Sequence, residues 1–147
     1  MTLKNTHQVT LKLNNEQVSN AKQRLIDEFT TLLTADITEP LKWKYSMTDL
    51  MEITHIVFLS DMLVEDDGSN CTFLSLVRSA CNRFGLHMPS NPSSYVNRAQ
   101  NRKNIRSRSF FDHYCWQLYE QKIDYPLCLS LHLSPTLCTS RLPVTDE

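Results

Sequence analysis

The sequence predicts a mainly α-helical single domain with a trihelical core, flanked by an additional N-terminal and an additional C-terminal helix and accompanied by a short two-stranded ribbon. Three observations predict it. Apolar residues recur at three- and four-residue spacing in five separate segments. Those segments open on capping signals. Gly68 and Gly85 are the only glycines among 147 residues, too few for the many turns of an all-β chain. With 41% hydrophobic residues and a net charge of -1, the chain has the material for one core and is neither disordered nor uniformly basic.

Each element follows from local signals. Val9, Leu11 and Leu13 alternate with polar residues, as in a half-buried strand over 8–13. Asn14 with Gln17 forms a capping box, and Val18, Ala21, Leu25, Ile26, Phe29, Leu32 and Leu33 then carry a first helix from about 15 to 35, which Pro40 cannot continue. Leu41 to Tyr45 alternates again and is the expected partner strand, completing the ribbon. Ser46 and Asp49 cap a second helix, whose wide apolar arc (Leu50, Ile53, Ile56, Val57, Phe58, Leu59, Leu63) predicts a central position, with the turn Glu65-Asp66-Asp67-Gly68 ending it. A third helix follows, with Asn70 as N-cap, the stripe Phe73, Leu76, Val77, Ala80, Cys81, Phe84, and Gly85 at the left-handed C′ position. Asn91-Pro92 starts a short fourth helix, about 92 to 103, with Tyr95, Val96 and Ala99 inward. Ser109 and Asp112 cap a fifth, buried through Phe110, Phe111, Tyr114, Cys115, Leu118, Tyr119 and Ile123 and ended by Pro126. Leu127, Leu129, Leu131 and Leu133 alternate like a strand without a partner, so the domain is expected to span 1–124, with 125–147 a loosely attached C-terminal extension.

The same inventory excludes several functions. Two glycines leave no phosphate-cradling loop, dinucleotide fingerprint or nucleophile elbow. Residues 1–10 lack the apolar core of a signal peptide, and no stretch is long enough to span a membrane. Cysteines at 71, 81, 115, 128 and 138 form no C-x-x-C pair, which suggests free thiols in a reducing cytoplasm. His113 and Cys115, two apart on a helix, point about 200° from each other and form no dyad. His7, His55, His87 and His132 stand at no ligand spacing, and the calcium-loop start at Asp66 meets Val77 where the twelfth-position Glu belongs. No catalytic residue, metal or cofactor is therefore assigned, and the chain is read as a protein other than an enzyme.

Charge is locally concentrated. Asp36, Glu39, Asp49, Glu52, Asp61, Glu65, Asp66 and Asp67 face only Lys42 and Lys44, whereas Arg98, Arg102, Lys103, Arg106 and Arg108 form a run without acids. The second, third and fourth helices have a helix-turn-helix order, and on a helical wheel Asn97, Asn101, Ser94 and Asn104 point away from Tyr95, Val96 and Ala99, with Arg98 on the flank. Amides can donate to and accept from adenine, so Ser94, Asn97, Arg98 and Asn101 are the expected contacts to DNA bases. Arg102, Lys103, Arg106 and Arg108 are the expected phosphate contacts. The plainer alternative is a solvated polar face with nothing bound to it.

Leu41-Lys42-Trp43, Ser46 ahead of Leu50 and Glu52, the Asp67-Gly68 turn, the helix end at Phe84, Tyr95, and Asn101-Arg102-Lys103 running through Arg106-Ser107-Arg108-Ser109 into Phe110-Phe111-Asp112 carry a family likeness. Through them, residues 41 to 122 resemble the C-terminal part of the RteC family of conjugative-transposon regulators. The resemblance implies an all-helical, helix-turn-helix or winged-helix DNA-binding protein controlling excision or transfer genes. The expected partner is double-stranded DNA, together with a regulatory protein or a second copy, and the DNA-binding core is 41–123. The alternative function is a helical interaction module that meets a protein through Phe110, Phe111, Trp116 and Tyr119.

Overall fold

The computed structural model describes residues 12–35, 41–101 and 109–131. Among them the chain is all-helical: α1 Asn15–Thr34, α2 Met47–Ser60, α3 Phe73–Arg83, α4 Pro92–Gln100, α5 Phe110–Cys115, a π-helical turn Trp116–Glu120, and α6 Pro126–Ser130. The capping boxes at the starts of α1 and α2 are reciprocal. The Gln17 N–H donates to Asn14 Oδ1 at 2.7 Å and the Asn14 N–H to Gln17 Oε1 at 3.0 Å, with Ser46 and Asp49 paired in the same manner at α2. At the start of α5 the Asp112 N–H donates to Ser109 Oγ.

Helix α2 is central, as its apolar arc predicts, and touches α1, α3, α4 and α5. Leu50, Met51, Ile53 and Val57 are buried between those neighbours. The core continues through Leu25, Phe29 and Leu32 of α1, Val77, Ala80 and Cys81 of α3, and Phe84. Trp43 fills its middle, with ring centroids 5.1 Å from Phe84, 5.4 Å from Tyr45 and 6.2 Å from Phe110. Its indole N–H donates to Ser46 O at 3.0 Å, so the polar edge is satisfied.

The C-terminus of α3 follows the expected glycine rule. Gly85 has φ +65, its N–H donates to Asn82 O at 3.3 Å and the Leu86 N–H reaches Cys81 O at 2.8 Å, the two bonds of a Schellman motif. Arg83, in the last turn, donates from Nε to Leu32 O at 2.7 Å and from a terminal guanidinium nitrogen to Ala35 O at 2.5 Å. It thereby satisfies carbonyls at the C-terminus of α1, where no basic residue stands on the helix itself.

Several expectations change. The ribbon does not form: residues 41–45 and 12–13 make no strand, and 8–11 lie outside the described residues. Leu41 and Trp43 do alternate inward, but they dock on helices, which needs no ladder. No winged-helix strand occurs among the described residues; one isolated bridge joins Val64 and Asn70. Helix α2 stops at Asp61 (φ 56), ahead of the acidic turn. Asn70 is held in that bridge, so Thr72 caps α3 instead, accepting from the Ser75 N–H at 3.1 Å. Helix α4 ends at Gln100, and Asn91 makes no side-chain cap.

The largest change is at the C-terminal side. Pro126 starts a helix rather than ending one, taking the first position, where a missing N–H costs nothing. Leu127, Cys128 and Leu131 are buried while Leu129 is exposed, a helical pattern in place of the expected strand. Residues 126–131 of the expected extension thus pack on the helical core, while 132–147 lie outside the described residues. Cys71, Cys81 and Cys115 are free, but Cys128 is disulfide-bonded, against the expectation of free thiols.

Phe84→Ala should destabilise the fold by about 3 to 5 kcal/mol, because the ring is enclosed by Phe29 and Trp43. Phe73 is only half-buried, so Phe73→Ala should cost clearly less. Urea unfolding midpoints of the two variants provide the comparison.

Candidate nucleic-acid interface

Helix α4 is positioned from its first turn. Pro92 occupies N1 and is buried, and the Ser94 N–H and hydroxyl both donate to Asn91 O, at 3.1 Å and 2.9 Å. This fastens the helix start although the Asn91 side chain makes no cap. Val96 and Ala99 are buried and Tyr95 is half-buried, as the wheel requires. Asn97, Arg98 and Asn101 are exposed. Helix α4 lies mainly against α2, so its outer side is turned away from the centre of the domain.

Of the predicted base-contacting residues, Ser94, Asn97 and Arg98 lie on α4 and Asn101 is its C-cap, and they differ in availability. Asn97 and Asn101 present exposed amides. Ser94 is half-buried with its proton committed to Asn91 O, which leaves only hydroxyl lone pairs for an outside donor. The Arg98 guanidinium lies over the Tyr95 ring, 4.7 Å from its centroid, a cation–π arrangement that orients the side chain while leaving its N–H edge open. The predicted phosphate contacts Arg102, Lys103, Arg106 and Arg108, and Asn104, lie outside the described residues. The acid-free character of this region extends beyond the 98–108 run, since no Asp or Glu occurs from Gly68 to Phe111.

The aromatic set of the alternative reading is mostly internal. Phe110 and Tyr114 are buried, Phe111 is half-buried beneath the Lys22 ammonium, and the Tyr119 hydroxyl donates to Gln17 O at 2.7 Å. Trp116 alone of that set is exposed, its ring stacked on His113 at 5.9 Å. His113 is half-buried, with the Phe110 ring centroid 6.5 Å from its own. Burial, with Asp112 adding to it, pushes the Cys115 thiol up to about 11, the opposite of an activated nucleophile. Among the described residues no three His, Cys, Asp or Glu side chains are grouped to hold a metal ion.

Sequence reasoning missed the two carboxylates that organise the domain. Glu28 of α1 is fully buried. Its Oε1 accepts from the Cys128 N–H at 2.9 Å, and its Oε2 accepts from the Tyr114 hydroxyl and, at 3.5 Å, from the Leu127 N–H. Glu52 of α2 likewise accepts from the Phe110 N–H at 3.0 Å and the Phe111 N–H at 2.9 Å. Each glutamate caps the N-terminus of a helix distant in sequence, covering donors with no partner inside that helix. A signal for Glu28 existed, because it lies three residues after Leu25 and four before Leu32, on the buried stripe. Burial raises its carboxyl to about 7, against the lowering effects of Tyr114, the two N–H groups and Arg24. Burial, Glu28 and their hydrogen bond all raise the Tyr114 phenol, so it remains the donor.

No family model, curated protein or solved structure matches this chain.

The shift of Glu28 gives a pH dependence with a definite sign. The native state retains a proton that the unfolded chain releases near the ordinary value of 4.5, so stability should fall as pH rises from there to about 7 and then level off. Converted at about 1.4 kcal/mol per pH unit, the decline attributable to Glu28 is about 3 kcal/mol. Urea unfolding across that window should show the decline in the unmodified protein and its loss in Glu28→Gln.

Proposed function

We propose that this protein binds double-stranded DNA and regulates transcription, with α4 as the helix presented to the major groove. The observation that carries this reading is the division of α4 into two faces. Val96 and Ala99 are buried, whereas Asn97 and Arg98, on a helix held from its first turn, and Asn101, at its C-cap, are exposed. Asn is a mediocre helix former, so amides on an exposed face are not explained by helix propensity. Their paired donor and acceptor match the adenine edge, and Arg98 is suited to guanine or phosphate. The bases Arg102, Lys103, Arg106 and Arg108 follow immediately in sequence and supply charge for backbone phosphates. The likeness of residues 41–122 to RteC proteins favours the same reading and narrows it to control of excision or transfer genes of a mobile element. No catalytic step, metal or cofactor enters it.

Asn97→Ala and Asn101→Ala separate base reading from backbone attraction. Both positions are exposed, so folding stability should be slightly raised by Asn97→Ala, within the helix, and retained in Asn101→Ala, at its C-cap. Specific DNA binding should weaken by about 1 to 3 kcal/mol while non-specific binding and its salt dependence stay unchanged. Mobility-shift titrations on DNA upstream of the protein's own operon and on random DNA measure both. Equal loss on the two DNAs would assign the amides to backbone contact, and no loss on either would remove α4 as the reading helix.

Neutralising two of Arg102, Lys103, Arg106 and Arg108 should flatten the log-log salt slope by about 1 to 2. A slope near zero in the unmodified protein would remove the DNA-binding proposal itself.

A further inference from the structure

The corner where α2 passes into α3 gathers most of the large apolar side chains that the described residues leave in solvent. Leu59, Met62, Val64 and Leu74 are between 52% and 64% exposed, and among the other described residues Leu129 is comparable, with Trp116 at 37%. Phe58 and Phe73, each half-buried, join the two helices there with ring centroids 5.8 Å apart. Isolated exposed leucines need no explanation, but four such residues concentrated on one short stretch of chain mark a contact surface.

The connection that carries Met62 and Val64 is fixed by its own hydrogen bonds. The Glu65 N–H donates to Ser69 O at 2.8 Å and the Gly68 N–H to Glu65 O at 2.9 Å. Asp67 Oδ1 accepts from the Ser69 N–H at 2.9 Å and its hydroxyl at 2.7 Å. A partner would therefore meet a formed surface and spend little on ordering it. The loop side of its margin is acidic. Asp61, Glu65, Asp66 and Asp67 are exposed and no Lys or Arg occurs from Tyr45 to Val77, while on the α3 side Arg78, one turn after Leu74, is an exposed base.

We propose that the apolar corner formed by Phe58, Leu59, Met62, Val64, Phe73 and Leu74, with its acidic margin, docks a basic amphipathic helix of another protein. Leucine-type side chains of that helix cover the apolar corner, and its lysines and arginines face the four acids. A second copy meeting the same corner face to face would bring acidic margins together, and DNA would be repelled from them. The surface is independent of the α4 face, so it operates whether or not the protein binds DNA.

The test uses the full chain and three fluorescein-labelled synthetic helical peptides: leucine on one face with lysine on the other, the same peptide with glutamate for lysine, and the same with serine for leucine. Fluorescence anisotropy should show binding of the leucine-lysine peptide and at least about tenfold weaker binding of the other two. The double substitution Leu59→Ser with Leu74→Ser, at exposed positions, should weaken the leucine-lysine peptide by about tenfold, and Glu65→Lys with Asp66→Lys by several-fold, with the salt dependence reduced. Asn97→Ala should bind the peptide as the unmodified protein does, which keeps this result separate from the DNA-binding reading. Failure to bind the leucine-lysine peptide, equal binding of the leucine-glutamate peptide, or no effect of the charge reversals would overturn the proposal. So would self-association in sedimentation that Leu59→Ser with Leu74→Ser abolishes, because the occupant would then be a second copy.

Discussion

The described fold depends on buried or half-buried carboxylates placed where helix N-termini would otherwise leave donors unpaired. Glu28 on α1 receives the start of α6 and the Tyr114 hydroxyl, and Glu52 on α2 receives the start of α5. Both recipient helices are short, six and five residues, and helices of that length have little stability of their own. Their N–H groups need acceptors and their apolar faces need a core. The two glutamates meet the first need from the same helices that supply the second. Arg83 does the converse at the other end of α1, where its guanidinium takes up carbonyls of the last turn. Side chains on the three long helices thus terminate helices they do not belong to, which fixes relative position more tightly than apolar contact alone.

This arrangement explains why a carboxylate with its proton affinity raised to about 7 is not evidence of catalysis here. Such shifts often mark active sites, but they also follow from burial, which is the leading cause for Glu28. The group has no exposed surface, and its hydrogen-bond partners are a phenol and two backbone N–H groups from the elements it holds together. The carboxyl ties α1, α5 and α6 at one point. Arg24, nearby on α1, adds a 2.8 Å bond to Asp124 O and lies 5.1 Å from the Tyr125 ring centroid, extending the attachment to the segment that leads into α6.

The organisation also separates structure from recognition. The interior is occupied by Trp43, Phe84, Phe29 and Tyr114 and by the partners of Glu28 and Glu52, leaving the outer face of α4 and the acidic corner between α2 and α3 as the chemically distinctive surfaces. One is polar and cation-bearing, the other apolar and acidic. The two proposals assign them to different classes of partner.

Much of the architecture was legible in the residues. Capping boxes at Asn14 and Ser46, Gly85 as a left-handed terminator, the central role of α2 and the two faces of α4 all depend on side chains a few positions apart, so local spacing determined them. The failures share the opposite property. Leu41 and Trp43 alternate as strand residues do, but a strand also requires a ladder partner, and the tertiary structure gives them helices to dock on. Leu127 to Leu131 reads equally as an alternating strand or as the buried side of a short helix starting at Pro126; the helical choice is stabilised by Glu28, a hundred residues earlier, accepting from the Cys128 N–H. Asn70 has the chemistry of an N-cap, yet its backbone bridge to Val64 moves that task to Thr72. The sequence by itself determined where helices begin and which sides they bury, because those preferences act over a turn or two of chain. Only the tertiary structure decided which charges are enclosed, which distant helix ends they cap and which apolar residues stay in solvent, because each depends on groups brought together across the whole fold.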